Sequence, residues 1–347
     1  MFAAINIPSP SSQSALAADR AIAIWLLVCC AMVFGIVLIG GLTRLTDSGL
    51  SITEWKPIVG ALPPLSAADW QSEFERYQQI PEYQEINHGM TLAEFKGIYW
   101  WEYVHRLWGR LIGVVFAVPL LVFWLRGQIR RPLVPHLIAM LVLGGLQGAL
   151  GWYMVKSGLS VRTDVSQYRL AAHFLAALAV YSYMLWIALT LLRPAPSGAS
   201  VAAPLRGHLR LVVALLLLTL TFGAFVAGLD GGLVYDDSFP LMGGQLIPGD
   251  AFQTASSPFD DPVTAQLIHR WLAILVVALI VALWLRHRRV ASGSGRRIDL
   301  LAAMALLQAG LGIATLLLQV PIPLAAAHQA GAVVLWTLAL WSLHAAR

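Results

Sequence analysis

The chain has 347 residues, of which 58% are apolar and only 12% are Asp, Glu, Lys or Arg; its mean hydropathy is +0.71. Soluble domains carry about 25% charged residues, so a soluble globular enzyme is excluded. The net charge of +5 is no argument for a nucleic-acid partner, because the basic residues collect in short connections between apolar runs, where they set orientation in a lipid bilayer.

In chain order, residues 1–20 carry one basic residue, Arg20, and no Arg-rich amphipathic pattern, so they read as a cytoplasmic tail rather than a mitochondrial transit peptide. Apolar runs then fall at residues 21–41, 101–125, 137–155, 168–192, 211–229, 263–285, 300–320 and 321–343. Each is close to the roughly 20 residues a helix needs to cross the hydrocarbon core. The fold class expected is an all-α integral membrane protein with eight transmembrane helices. Cys29 and Cys30, the only two cysteines, sit together in the first run; they cannot build a Cys-based zinc or iron–sulfur centre. Connection 43–100 holds four basic against eight acidic residues, and connection 230–262 holds six Asp and no Lys or Arg. Both long loops are expected on the outer side. Arg126, Arg130 and Arg131, then Arg193, Arg206 and Arg210, then Arg286, Arg288, Arg289, Arg296 and Arg297 mark the second, fourth and sixth connections as cytoplasmic, together with both termini. The Pro-, Ala- and Ser-rich stretch 194–204 reads as a linker. The expected divisions are a tail (1–20), a first half (21–192), a cytoplasmic linker (193–208) and a second half (209–347), in a bacterial cytoplasmic membrane.

The halves repeat. LGGLQGALG from Leu143 resembles LLQAGLGIAT from Leu306, pairing Gln147 with Gln308 and Gly151 with Gly312; His105-Arg106 matches His269-Arg270, and His173 matches His328. Four helices per half preserve direction, which predicts parallel repeats and two four-helix bundles. Gly144, Gly145, Gly148 and Gly151 are read as permitting close helix contact.

Of nine histidines, His88, His136, His208, His287 and His344 fall in loops or at helix ends and read as solvated or interfacial. His105, His173, His269 and His328 each lie about four to seven residues inside the outer end of an even-numbered helix, so about 6 to 10 Å deep. One such histidine is readily explained by a hydrogen bond to a neighbouring helix. Four in register, arising twice from a repeated pair, point instead to iron porphyrins held between imidazoles in apolar slots, one per half. Bare copper or zinc lacks the thiolate or carboxylate such sites usually add. The halves differ at one position: Glu102 lies three residues before His105, where Gln266 precedes His269. Residues three apart share a helix face, so Glu102 is expected at the first slot, where a carboxylate can take a proton and an amide cannot. The competing reading pairs Glu102 with Arg106 one turn on. Arg106, Arg110 and Arg270 are candidates for pairing with propionates or for snorkelling to the outer interface. Trp100, Trp101, Trp108 and Trp271 are assigned to an aromatic belt and packing.

GGLTRLTDSGLSITEWKPIVGALPP from Gly40, EYVHRLWGR from Glu102, GGLQGALGWYMVKSGL from Gly144, RLAAHF from Arg169, AGLDGGLVYDDSFPLMGGQLIP from Ala227, LIHRW from Leu267 and AAAHQA from Ala325 together resemble the haem A synthases, over essentially the whole chain after residue 20. The resemblance implies an eight-helix membrane oxidoreductase that converts the C8 methyl of haem O to the formyl of haem A for terminal cytochrome oxidases. It implies that His269 and His328 ligate the iron of a resident haem b, that His105 and His173 flank the substrate haem O, and that Glu102 is required near the methyl being oxidised. Implied partners are haem O, a haem O synthase as donor, cytochrome oxidase assembly, and an electron-transfer partner that no motif names. Some members carry cysteine pairs in the outer loops; here both loops lack cysteine, so they must be held by packing and hydrogen bonds. Two other classes compete: a dihaem b-type quinol:acceptor electron carrier, predicting like haems and no need for Glu102, and a solute transporter, predicting polar residues or broken helices at mid-membrane.

Overall fold

The computed structural model describes residues 13–56, 59–192, 203–287 and 295–346. The linker residues 194–202, Arg193, Arg288, Arg289 and the first twelve residues of the tail lie outside them. Among the described residues there is no strand, and eight helices are long and apolar enough to cross a membrane. The protein is a multi-pass membrane protein. The eight are α1 (Gln13–Leu45), α4 (Leu92–Leu125), α5 (Val134–Val155), α6 (Gln167–Leu192), α7 (Ala203–Gly228), α9 (Pro262–His287), α10 (Gly295–Leu317) and α11 (Ile322–Ala345). Short helices α2 (Ala67–Tyr77) and α3 (Pro81–Glu85) lie in the first long connection, and α8 (Ser257–Asp260) in the second.

Several helices outrun their apolar stretches, and their caps show why. Thr91 opens α4: its side chain accepts from Glu94 N–H while the Glu94 carboxylate accepts from Thr91 N–H, a reciprocal closure that satisfies two otherwise orphaned donors. The helix therefore starts nine residues before the apolar run and has 34 residues. At 1.5 Å per residue it is about 50 Å long against a core of about 30 Å, so its first turns stand outside the hydrocarbon. They carry Phe95, Tyr99 and Tyr103, which pack with Trp70, Phe74 and Tyr77 of α2 and with Leu50 and Val165 into an aromatic core. Farther along, Pro119 interrupts α4. Proline has no N–H for the carbonyl four residues back, and the Trp25 indole donates to that carbonyl, Val115 O, at 2.8 Å.

Two compact units divide the chain within helices: Trp25–Tyr181 forms one, and Ser182–Arg347 with Met1–Ile24 the other. In the second, α7 packs on α9 and α11, and α10 on α9 and α11. The C-terminal end of α6 belongs to this unit. There Thr190 Oγ1 lies 3.1 Å from His344 Nε2, the Trp186 ring stands edge-on to that imidazole, and Trp336 Nε1 donates to Ser182 Oγ. His344 is 3% exposed. The expectation of a solvated His344 is thus corrected: its place near a helix end does not say which face it occupies, and that face is turned inward. His208 likewise reaches Leu279 O at 3.0 Å.

Candidate functional site

Each of the four deep histidines rests on a glycine of the preceding transmembrane helix. A Cβ on Gly40 of α1 would stand 3.1 Å from the His105 ring, one on Gly151 of α5 2.9 Å from His173, one on Gly223 of α7 3.0 Å from His269, and one on Gly312 of α10 2.7 Å from His328. At Gly151 and Gly312 a side-chain carbon would stand closer than such carbons come, and at Gly40 and Gly223 the ring would have to give by a few tenths of an ångström. Of the glycines assigned to helix contact from the sequence, only Gly151 makes one; the Cβ positions of Gly144, Gly145 and Gly148 meet nothing within 4 Å. The reading missed Gly40, Gly223 and Gly312 as ring seats, although the four-residue spacing shared by Gln147/Gly151 and Gln308/Gly312 was a visible signal for one of them.

The glutamines of that repeat complete the seat. Gln147 Nε2 lies 2.7 Å from His173 O and 3.0 Å from its Nδ1; Gln308 Nε2 lies 2.8 Å from His328 O and 3.0 Å from its Nδ1. His269 Nδ1 donates to Thr219 O at 3.0 Å, which leaves Nε2 with the free lone pair a metal needs. The His269 and His328 rings face one another with centroids 6.5 Å apart and planes at 86°. Two imidazoles at that separation can take one metal ion between them. Among the described residues His105 makes neither a hydrogen bond nor a ring contact, and no cluster of three His, Cys, Asp or Glu offers a separate metal site. Cys29 and Cys30 are buried and free.

Glu102 is 2% exposed and is an acceptor in every contact. Its Oε1 takes Arg106 Nε (3.0 Å) and Nη2 (2.5 Å), and its Oε2 takes Ser51 Oγ and Ile52 N, both at 2.7 Å. The competing pairing of Glu102 with Arg106 is present in the structure, buried beneath the first long connection. Arg106 then reaches Ile52 O and Glu54 O, Arg110 reaches Lys56 O, and Tyr103 reaches Ala61 O. Glu102, Arg106 and Arg110 recur every four residues and so share one face of α4, and with Tyr103 they strap the chain at Ser51, Ile52, Glu54, Lys56 and Ala61. The second unit repeats the device with an amide. Arg270 Nη2 donates to Gln266 Oε1 and Tyr235 O, Nη1 donates to Ser238, Pro240 and Leu241 O, and Gln266 Nε2 donates to Val234 O. Both arginines spend their donors on loop carbonyls. Of the tryptophans, Trp100 and Trp101 are exposed, Trp108 Nε1 donates to Met32 O and Trp271 Nε1 to Leu246 O.

Fold and site together define a polytopic helical membrane protein in which repeated histidines stand on glycine seats and arginines strap the two long connections. The chain matches the model of the cytochrome oxidase assembly protein family over residues 23–340. It is similar to the heme A synthase of Rhodospirillum centenum, 51% identical over 98% of this chain and 92% of that one. It is also similar to those of Nitrosospira multiformis, 49% identical over 99% and 98%, and Paramagnetospirillum magneticum, 48% identical over 96% of each. The chain belongs to the cytochrome oxidase assembly protein family.

Proposed function

We propose that the protein is a haem A synthase of the bacterial cytoplasmic membrane, with both termini cytoplasmic, acting on haem O received from a haem O synthase. The C8 methyl of haem O becomes a formyl group in two successive two-electron oxidations, and the product serves cytochrome oxidase assembly. His105 and His173 flank the haem O iron. His269 and His328 hold a resident haem b, which supplies electron transfer when bound.

One observation carries the reading most: the facing rings of His269 and His328. Two metal–nitrogen bonds of about 2 Å, with the distance from ring centre to Nε2 added on either side, come to roughly 6 Å, which the 6.5 Å separation matches. At His269 the donor also fits, since Thr219 O orders that ring's tautomer for ligation through Nε2. In the first unit Glu102 is the group proposed to receive protons at the methyl edge. Both of its oxygens already accept hydrogen bonds, so a proton arriving on Oε2 displaces Ser51 or Ile52 and couples proton transfer to the strap over the slot. The arginines act on the loops rather than on the reacting carbon, and the strapped connections keep bulk water from the slot.

The test is to express the chain beside a haem O producer, purify it and chromatograph the extracted pigments. Haems B, O and A together are expected; haem B alone overturns the reading in favour of a dihaem electron carrier.

A further inference from the structure

The repeated helices α5 and α10 differ in how they fill the space beside their histidine seats. On α5, Leu137, Met140, Gly144, Gln147 and Gly151 recur at helical spacing and share one face. Leu137 and Met140 are buried and Gly151 meets the His173 ring, so this face is turned into the protein. Gly144, at its centre, and Gly148, one turn on, are nevertheless exposed, and a Cβ on either would meet nothing within 4 Å. Leu141 at the edge of the face is exposed as well. The repeat pairs these three with Ala302, Ala305 and Ala309 of α10. There Ala302 and Ala305 are buried and Ala309 is half-buried, so the same stretch is packed shut. On α4, which packs on α5, Gly113 lies two turns on from His105; it too is exposed with nothing within 4 Å of its Cβ position, where α9 carries Val277. From Gly151 back to Leu141 the open face runs about 15 Å along α5. At its head, Gln147 Nε2 donates to His173 O while Gln147 Oε1 is buried without a hydrogen-bond partner. Gln308 Oε1 is unpartnered too, but it stands directly against Gly331 of α11.

We propose that this open face of α5 receives the hydroxyethylfarnesyl tail of haem O, its isoprenoid chain lying over Gly148, Gly144 and Leu141 and its hydroxyl donating to Gln147 Oε1. This rests on the reading that the first pair binds haem O. Haem O differs from haem b in that one substituent, which is a hydroxyl-bearing chain of three isoprene units where haem b has a vinyl group. A protein that holds both must give one of its two slots room for the tail. The first unit offers that room, and the alanine face of α10 does not. In a bilayer an isoprenoid chain gains little by leaving lipid for protein, so selection comes from shape rather than from burial. The glycines admit the tail to the first slot, and the packed alanines turn it away from the second, which is how a site discriminates against a near-identical competitor.

The experiment uses the full chain purified in detergent and titrated with haem O and, separately, with haem B. Absorption spectra give the Kd of each, and size exclusion checks that each variant is monodisperse. The readout is the ratio of the two constants, from which any change in iron ligation common to both haems cancels. Gly144→Leu and Gly148→Leu are expected to shift the ratio against haem O at least tenfold, and Gln147→Leu by about fivefold, the worth of one hydrogen bond. Gly145→Leu is the control: it lies about 100° round the helix from Gly144, reproduces the side chain that the repeat carries at the exposed Leu306, and should leave the ratio unchanged. An unchanged ratio in Gly144→Leu, or an equal shift in Gly145→Leu, overturns the assignment and makes this a face that lipid covers; an unchanged ratio in Gln147→Leu overturns the hydroxyl contact. Should the wild-type chain take up no haem O at all, the substrate reading fails and the proposal with it, a result visible before any variant is made.

Discussion

Glu102 and Arg106 form a buried pair one helical turn apart, with Nε and Nη2 of the guanidinium both on Oε1 of the carboxylate. The other oxygen faces two further donors, Ser51 Oγ–H and Ile52 N–H. A carboxylate satisfies both sides; an amide has one acceptor and must set its NH2 group against donors on the other. Glu102→Gln is therefore expected to cost about 1.5–3 kcal/mol locally and to speed proteolysis within residues 46–66, besides lowering haem A formation more than tenfold. Ser51→Ala keeps the pair and removes one donor, so it should loosen the strap slightly and leave most of the activity. Pigment chromatography and limited proteolysis on the same preparations separate the two effects. A Glu102→Gln protein with normal haem A output removes the proton role assigned to this residue.

Arg270 serves the second outer loop more heavily than Arg106 serves the first, because four loop carbonyls converge on it and it is 4% exposed. Lysine brings a single ammonium with three donors and no planar fork. Arg270→Lys should leave at least one of the carbonyls of Tyr235, Ser238, Pro240 and Leu241 buried without a donor, at about 1–3 kcal/mol, and Arg270→Ala should cost more. The measurement is hydrogen exchange over residues 234–242. If Arg270 serves propionates instead, exchange in this loop stays at the wild-type level in the unloaded protein.

The long helices are legible because eight apolar stretches of spanning length need no tertiary information to be recognised. The outer connection is not, since α2 is short and amphipathic and its packing on the overhanging turns of α4 depends on the capping pair Thr91 and Glu94. The histidine pairs are visible as a repeat, yet chain position says nothing about ring orientation, so the glycine contacts of the rings and the burial of His344 emerge only in three dimensions. Glu102 is legible as an asymmetry between halves; its engagement with Ser51 and Ile52, some fifty residues upstream, is not.

Glu82 in α3, within the first long connection, is buried, and its Oε2 has no hydrogen-bond partner there. Burial pushes its pKa up to about 8, with the Tyr77 hydrogen bond opposing and Asp47 and Glu102 adding to the shift. Folded, the group keeps its proton up to about pH 8; unfolded, it loses it in the ordinary carboxylate range. Between those limits unfolding releases a proton, so the stabilising contribution is complete at low pH and is lost as pH rises through 8, with a slope of at most about 1.4 kcal/mol per pH unit. The thermal midpoint of the wild-type protein should fall from pH 6 to pH 9 more steeply than that of Glu82→Gln, and the two curves should diverge towards alkaline pH with the variant the more stable. Parallel curves would place the Glu82 carboxylate in contact with water.

The glycine seats give a graded series with its own control. A Cβ at position 312 meets His328 Cε1 at 2.7 Å and one at 223 meets His269 Cε1 at 3.0 Å, whereas one at 144 meets nothing within 4 Å. Overpacking of this kind costs about 1–3 kcal/mol when the neighbour cannot move, and Gln308, one turn before position 312 on the same helix, holds the His328 ring against that helix. Alanine at 312 should therefore displace the ring rather than the helix. The expected order of haem b loss from purified protein is Gly312→Ala first, Gly223→Ala second and Gly144→Ala indistinguishable from wild type, although all three make the same change in an apolar helix. The reduced haem spectrum and iron content per chain measure it. Equal loading across the three variants would mean that the imidazoles do not need these seats and that the close approach is a matter of helix packing alone.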